Sequence, residues 1–276
     1  MSVRRRFFPA GWYPAKRSEI EETIKEWNDM LTIDIKPSAV SAIAPHAGWH
    51  YSGLHAWKAW LAAAPADSVV LVGGHLSEGA GYMYYPEHAF ETPLGDIRAD
   101  GDLVSFLVRE TGAVPDTHAD NTVEVHLPML AARFPGVPVA CVRAPNDESA
   151  VVLGDALARY ATETKRSIFV MGSTDLTHYG TVYDFMPAGP PPAGFAWARR
   201  ANDAIIRTFL DMDAAAALRR ANLDRSACSV GAAMASISYA LRTGASQATL
   251  LAKGSSDETS RGSDASVGYC SIAYHA

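Results

Sequence analysis

The chain has 276 residues, 48% of them hydrophobic and 20% charged, with a formal net charge of -6. That is ordinary globular composition with enough chain for one large core, and its mild acidity argues against wrapping nucleic acid or lying on an anionic membrane. No apolar run approaches the about 20 residues of a membrane span, no leader-like apolar segment follows the charged start, and three cysteines without a CxxC pair suit a reducing cytoplasm rather than a disulfide framework.

The basic cluster Arg4-Arg5-Arg6, beside Phe7 and Phe8, reads as a solvated or locally paired terminus. Residues 40–45 read as a short buried strand. Residues 52–64 carry Leu54, Trp57, Trp60 and Leu61 at helical spacing. The run SVVLV, 68–72, is a fully apolar strand ending in Gly73-Gly74-His75. Residues 101–111 are helical with Asp100 as N-cap. A helix at 129–134 follows Pro128, and strands at 137–142 and 167–171 flank a helix at 150–162. The segment 186–194 is a surface loop. Helices follow at about 195–210, 213–221 and 227–242, and strands at 248–252 and 267–274 close the chain.

Strands alternate with helices, and several strands are apolar throughout. This is the pattern of a single-domain α/β fold, residues 1–276, with a mostly parallel central sheet and helices on both faces. In such sheets ligands bind beyond the carboxyl ends of the strands. The polar motifs fall there. His46 sits in APHAGWHYSG after the first strand, His75 after the second, and Asp175 and His178 in STDLTHYG after a later one.

Each candidate has an ordinary structural explanation beside its chemical one. His46, between Pro45 and Ala47-Gly48, is either a turn histidine or a ligand held where a backbone can come close. His50 and His55 are weaker candidates, and His50 is given no ligand role. Gly73-Gly74 lack the rest of a phosphate-binding pattern and read as making room for His75. Asp175 and His178, three apart, could share a face so that the carboxylate orients the imidazole; alternatively Asp175 caps a turn. If a helix starts near Ser226, Cys228 lies in its first turn, where the dipole favours thiolate; the alternative is a small buried apolar residue, the role assigned to Cys141 and Cys270. Asn121-x-x-Glu124 reads equally as a capping box and as part of a site that also includes His126. Together these residues supply two histidines, a cysteine and an Asp–His pair from separate segments. That suggests a mononuclear metal; zinc, iron and copper all accept such donors.

The stretches FFPAGWYP, IAPHAGWHYSG, VLVGGH, TPLGD, VEVHLPML, STDLTHYG, Ala227-Cys228 and SVGYCSIAY, in this order, resemble the Memo family (mediator of cell motility), whose prokaryotic members carry the name AmmeMemoRadiSam system protein B. The family is similar in fold and site position to the class III extradiol dioxygenases. The resemblance implies a cleft with His46, His75 and Cys228 as metal ligands, iron(II) foremost with copper or zinc as alternatives, and His178 as acid/base residue beside Asp175. Members often have a histidine where this chain has Asn121. The implied function is an iron-dependent, dioxygenase-like redox enzyme acting on a small molecule. The alternative is a non-catalytic module gripping a metal or peptide with a partner, for which Trp12, Tyr13, Trp49 and Tyr51 would supply stacking surface. The system name implies a radical SAM partner protein.

Overall fold

Apolar runs along the chain pair into one nine-stranded sheet, with a three-stranded sheet beside it, in a computed structural model that describes residues 2–8, 10–260 and 262–276. Pro9, within the FFPAGWYP stretch, lies outside the described residues. In chain order the elements are β1 (Val3–Arg4), α1 (Arg17–Asp29), β2 (Ala39–Ala44), α2 (Leu54–Ala62), β3 (Ser68–Leu76), β4 (Met83–Tyr84), β5 (Ala89–Phe90), β6 (Ile97–Arg98), α3 (Gly101–Thr111), β7 (Val114–Pro115), α4 (Asn121–Glu124) and α5 (Leu127–Arg133). They continue with β8 (Val139–Pro145), α6 (Ala150–Thr164), β9 (Ile168–Ser173), β10 (His178–Tyr179), α7 (Ala193–Leu210), α8 (Ala214–Asp224), α9 (Val230–Arg242), β11 (Gln247–Ser255), α10 (Ser256–Thr259) and β12 (Ser266–His275). A π-helical turn, Trp49–Gly53, leads into α2.

The large sheet has the order β10-β12-β2-β9-β3-β8-β4-β7, with β11 on β12. Its four central strands, β2, β9, β3 and β8, pair in parallel. Around them β12 runs antiparallel to β2, β11 and β10 antiparallel to β12, and β4 antiparallel to β8. The sheet is therefore mixed rather than mostly parallel. Parallel neighbours need long helical crossovers, whereas β11 and β12 are joined by a short connection, which closes an antiparallel pair.

Alternation along the central strands explains the layers. Val70, Val72, Ala140, Val142 and Val170 face a core completed by α3, α6, α8 and α9. Val69, Leu71, Val139, Phe169 and Met171 face the opposite core, which holds Trp57 and Trp60 of α2 and Met129 and Leu130 of α5. Each of the valine, leucine, methionine and phenylalanine side chains removed from water contributes about 1.5–3 kcal/mol, and helices cover both faces. Helix α9 is buried from Val230 through Ala240, and its Ser236 hydroxyl donates to Ala42 O of β2 at 2.8 Å.

Several local readings need correction. Strand β3 does not stop at Val72 but runs to Leu76. Its register with β8 shifts between Gly73 and Leu76, and His75 adopts a φ of 56°. The two glycines do not make room for His75: a Cβ on Gly73 would strike Thr122, and one on Gly74 would strike Ser229. Helix α9 starts at Val230 after Ser229, so Cys228 precedes its first turn rather than sitting in it. The cap of α4 is Asp120, which accepts from Thr122 N, and no Asn121–Glu124 capping box forms. Of the two readings of the basic cluster, Arg4 follows the paired one, though its partners are distant in sequence. It pairs with Glu87 at 3.1 Å, donates to Asp116 O at 2.9 Å and covers the Tyr85 ring at 3.5 Å.

Candidate metal centre

The carboxyl ends of β2, β3 and β9 meet the amino end of α9 at one rim of the sheet. There His46 follows β2, His75 occupies the irregular end of β3, and Cys228 lies in the turn before α9. Their ligand-capable atoms all lie within 4.8 Å of one another. Cys228 Sγ is 3.3 Å from His46 Nε2, and the two imidazole rings meet edge-on with centroids 5.0 Å apart.

Each donor is held from behind. His46 donates its backbone N–H to Asp175 Oδ1 at 2.8 Å, and its Nδ1 lies 3.0 Å from Ser173 Oγ. His75 Nδ1 is 3.2 Å from Asp120 Oδ2, which also pairs with Arg143 at 3.1 Å. The left-handed φ of His75 costs a non-glycine residue on the order of 1 kcal/mol, and it is held by hydrogen bonds: Ser229 Oγ accepts the His75 N–H at 3.2 Å, and Arg143 Nε donates to Gly74 O at 2.8 Å. Cys228 N donates to Asp175 O at 3.2 Å, and Asn146 Nδ2 donates to Cys228 O at 3.0 Å.

His178 stands beside this group on β10. Among the described residues its Nε2 is buried without a hydrogen-bond partner, 3.8 Å from Asp175 Oδ2. The same Asp175 oxygen is 3.8 Å from His46 Nε2. Asp175 thus bonds the His46 backbone and lies close to both rings without hydrogen-bonding either. Asn121 donates through Nδ2 to His46 O at 3.2 Å.

Opposed influences set the protonation of the group. Burial pushes the Cys228 thiol up, but His46, His178 and His75 more than offset this and hold it well below the usual thiol range. Burial pulls His75 down, while Asp120 and Cys228 raise it to about 10. Burial likewise pulls His178 down, and Asp175 and Cys228 raise it to about 10. His46 is also raised, by Asp175 and Cys228 against burial. Without an ion, then, the carboxylates and the thiol favour protonated imidazoles, and the imidazoles in turn favour the thiolate. A divalent ion would take the place of those protons, since imidazole ligands must be neutral and the cysteine ligand a thiolate. Two imidazoles and a thiolate, pre-oriented by buried partners, fit a borderline or soft transition-metal ion better than magnesium or calcium.

The group opens into a cleft of about 580 Å³, bordered by Trp12, Tyr51, Asn121, Tyr183 and Tyr269. Of the aromatics read as stacking surface, Trp12 and Tyr51 line this cleft, whereas Tyr13 and Trp49 belong to the core and border a neighbouring hollow. His50 is exposed and is not one of the grouped donors, and His55 is partly buried on α2. Glu124 has a different task from either expected one. It accepts the backbone N–H groups of Phe7 and Phe8 and the Tyr13 hydroxyl, at 2.8–3.0 Å, and so ties down the segment leading into Ala10, Gly11 and Trp12 at the cleft wall. Among the described residues no helix is long and apolar enough to cross a membrane.

The profile described as Memo-like protein matches residues 5–273. The chain belongs to the Memo family. A MEMO1 family protein of Pyrococcus furiosus is 31% identical over 291 aligned positions, covering 98% of each chain. One from Pyrobaculum arsenaticum is 30% identical over the full length of both chains, and one from Methanosarcina mazei is 27% identical over 99% of each. In fold, the uncharacterized protein JW3007 from Escherichia coli K12 is similar with a TM-score of 0.54 at 13% identity, covering 84% of this chain and 98% of that one. The α/β architecture of this Memo-family chain is thus shared with a protein of largely different sequence.

Proposed function

We propose that this Memo-family protein is a mononuclear metal enzyme of dioxygenase-like type, with iron(II) on His46, His75 and Cys228 and a small oxygen-bearing molecule as substrate. The observation that carries this reading is the convergence of those three donors, from three separate segments, beside an open cleft that His46 and His75 line. Copper and zinc are the alternative ions for the same donors. When bound, the ion supplies Lewis acidity and, if iron or copper, one-electron chemistry at open coordination positions. The chain's own residues do the rest. Asp175 fixes the His46 backbone. Trp12 and Tyr51 offer faces for a planar ligand. His178, with a free buried Nε2 and a carboxylate nearby, holds or delivers a proton at that atom.

A second reading uses the same cleft as a non-catalytic site for a metal-anchored peptide offered by a partner such as a radical SAM protein; the aromatic border supports it. Oxygen consumption by anaerobically iron-loaded protein, across a panel of catechols and other phenols, tests the first reading. Consumption that His178→Ala abolishes while iron stays bound supports an enzyme. Iron-loaded protein that consumes none yet retains a peptide supports the second.

A further inference from the structure

Behind His46 runs a buried chain of polar contacts that the proposed reaction does not use. Trp60 Nε1 donates to His126 Nδ1 at 3.3 Å. His126 Nε2 lies 3.1 Å from Ser173 Oγ, and Ser173 Oγ lies 3.0 Å from His46 Nδ1. Beyond the His46 ring, Nε2 faces Cys228 Sγ at 3.3 Å. Trp60, His126, Ser173 and His46 are all buried. They come from α2, the α4–α5 junction, β9 and the segment after β2, so the chain crosses the molecule from its second core to the rim of the sheet.

Donor and acceptor rules give this chain a direction. An indole nitrogen is only a donor, so His126 Nδ1 must be an acceptor. An imidazole that accepts at one nitrogen is neutral and carries its proton on the other, so His126 Nε2–H donates to Ser173 Oγ. That uses one lone pair of the hydroxyl. The single Ser173 hydrogen then has two states. Pointed at His46 Nδ1, it makes His46 carry its proton on Nε2, where it faces the Cys228 sulfur. Pointed away, it leaves the second lone pair to accept from His46 Nδ1–H, and His46 Nε2 presents its own lone pair to the cleft. Only the second arrangement lets His46 ligate an ion through Nε2.

We propose that Ser173, aligned by His126 and Trp60, is the positioning residue that keeps the His46 ring proton on Nδ1, its hydroxyl accepting from that nitrogen so that Nε2 is left to ligate an ion. The inference rests on the proposed metal reading and deepens it. It also gives His126 a task at a distance from the cleft: by occupying one lone pair of Ser173, it limits the hydroxyl to these two states.

The test combines zinc affinity with nitrogen-15 NMR of the histidine rings. Ser173→Ala should weaken zinc binding by about ten- to a hundredfold in chelator competition, and Ser173→Thr, which keeps the hydroxyl, should restore it. In the wild-type protein, with no variant needed, His126 should be protonated at Nε2 with and without zinc, and His46 should be protonated at Nδ1 once zinc is bound. Equal zinc affinity of wild type and Ser173→Ala would overturn the proposal while leaving the metal site standing. So would a His126 ring protonated at Nδ1, even if Ser173→Ala does not fold. A wild-type protein that takes up no zinc would remove both this proposal and the metal reading.

Discussion

Asp175 Oδ1 accepts the backbone N–H of His46 at 2.8 Å, so the turn after β9 holds the turn after β2 through a buried carboxylate. A carboxylate bonded in this way is an anchor for the backbone as well as a charge beside two rings. Asp175→Ala removes the acceptor and leaves a buried N–H unpaired, which should lower stability by about 1–3 kcal/mol in chemical denaturation. Asp175→Asn keeps a carbonyl acceptor in place and should lose much less. Equal losses in the two variants would show that the negative charge, not the acceptor, is what matters.

The Glu124 clamp makes a separate prediction. Its carboxylate accepts from Phe7 N, Phe8 N and the Tyr13 hydroxyl, and nothing else in the cleft depends on it directly. Glu124→Ala should free the N-terminal segment that carries Gly11 and Trp12. Hydrogen exchange at the Phe7 and Phe8 amides should then accelerate by at least about tenfold, since a lost charged hydrogen bond is worth about 1.5–3 kcal/mol. Unchanged exchange at these amides would mean that β1 and its neighbours hold the segment alone.

Acid stability should depend on Asp100. This carboxylate caps α3 through Leu103 N at 3.1 Å and pairs with Arg166 at 2.6 Å. Burial raises it, but Arg166 and the capped amide more than offset that and hold it below the ordinary carboxylate range. A depressed carboxyl stabilises the fold above its unfolded value, near about 3.9, and that contribution is lost as pH falls through the folded value. Asp100→Asn, still a competent cap, should therefore be less stable than wild type by about 1 kcal/mol near neutrality, with the gap closing below about pH 4. A gap that stays constant with pH would assign the effect to packing rather than charge.

How far the sequence reaches can be judged at particular residues. Helix α3 forms over the expected residues because Asp100 is a local cap with a local partner. His46, His75 and Cys228 were legible as candidates because each follows a buried strand or precedes a helix, and the resemblance to Memo proteins covers nearly the whole chain. What was not legible is long-range. The antiparallel flank made by β12 depends on which edge the last strand joins. The extension of β3 through two glycines depends on Thr122 and Ser229, distant in sequence, pressing against them. The role of Glu124 depends on a segment more than a hundred residues away. His126 gave one usable signal, a histidine in an otherwise apolar VEVHLPML run, but its partner Trp60 lies on another helix.

Among the three cysteines, only Cys228 should react readily. It is partly exposed, and its neighbouring histidines hold it well below the usual thiol range. Cys141 and Cys270 are buried, and burial pushes both upward. Metal-free protein treated with iodoacetamide at about pH 6, where an ordinary thiol is almost wholly protonated, should be modified at Cys228 alone, as read by peptide mass spectrometry. Added zinc should protect it. Comparable labelling of Cys141 or Cys270 in folded protein would contradict the burial pattern.

The central claim is that His46, His75 and Cys228 together hold one ion, with His178 near but not among the ligands. The most direct measurement is the metal content of anaerobically purified protein, wild type against His46→Ala, His75→Ala, Cys228→Ala and His178→Ala, each first shown to be folded by circular dichroism. The account predicts about one ion per chain in wild type and in His178→Ala, and a loss of at least about tenfold in affinity in each of the other three. Unchanged metal content in His46→Ala or Cys228→Ala, or metal lost from His178→Ala, would contradict it.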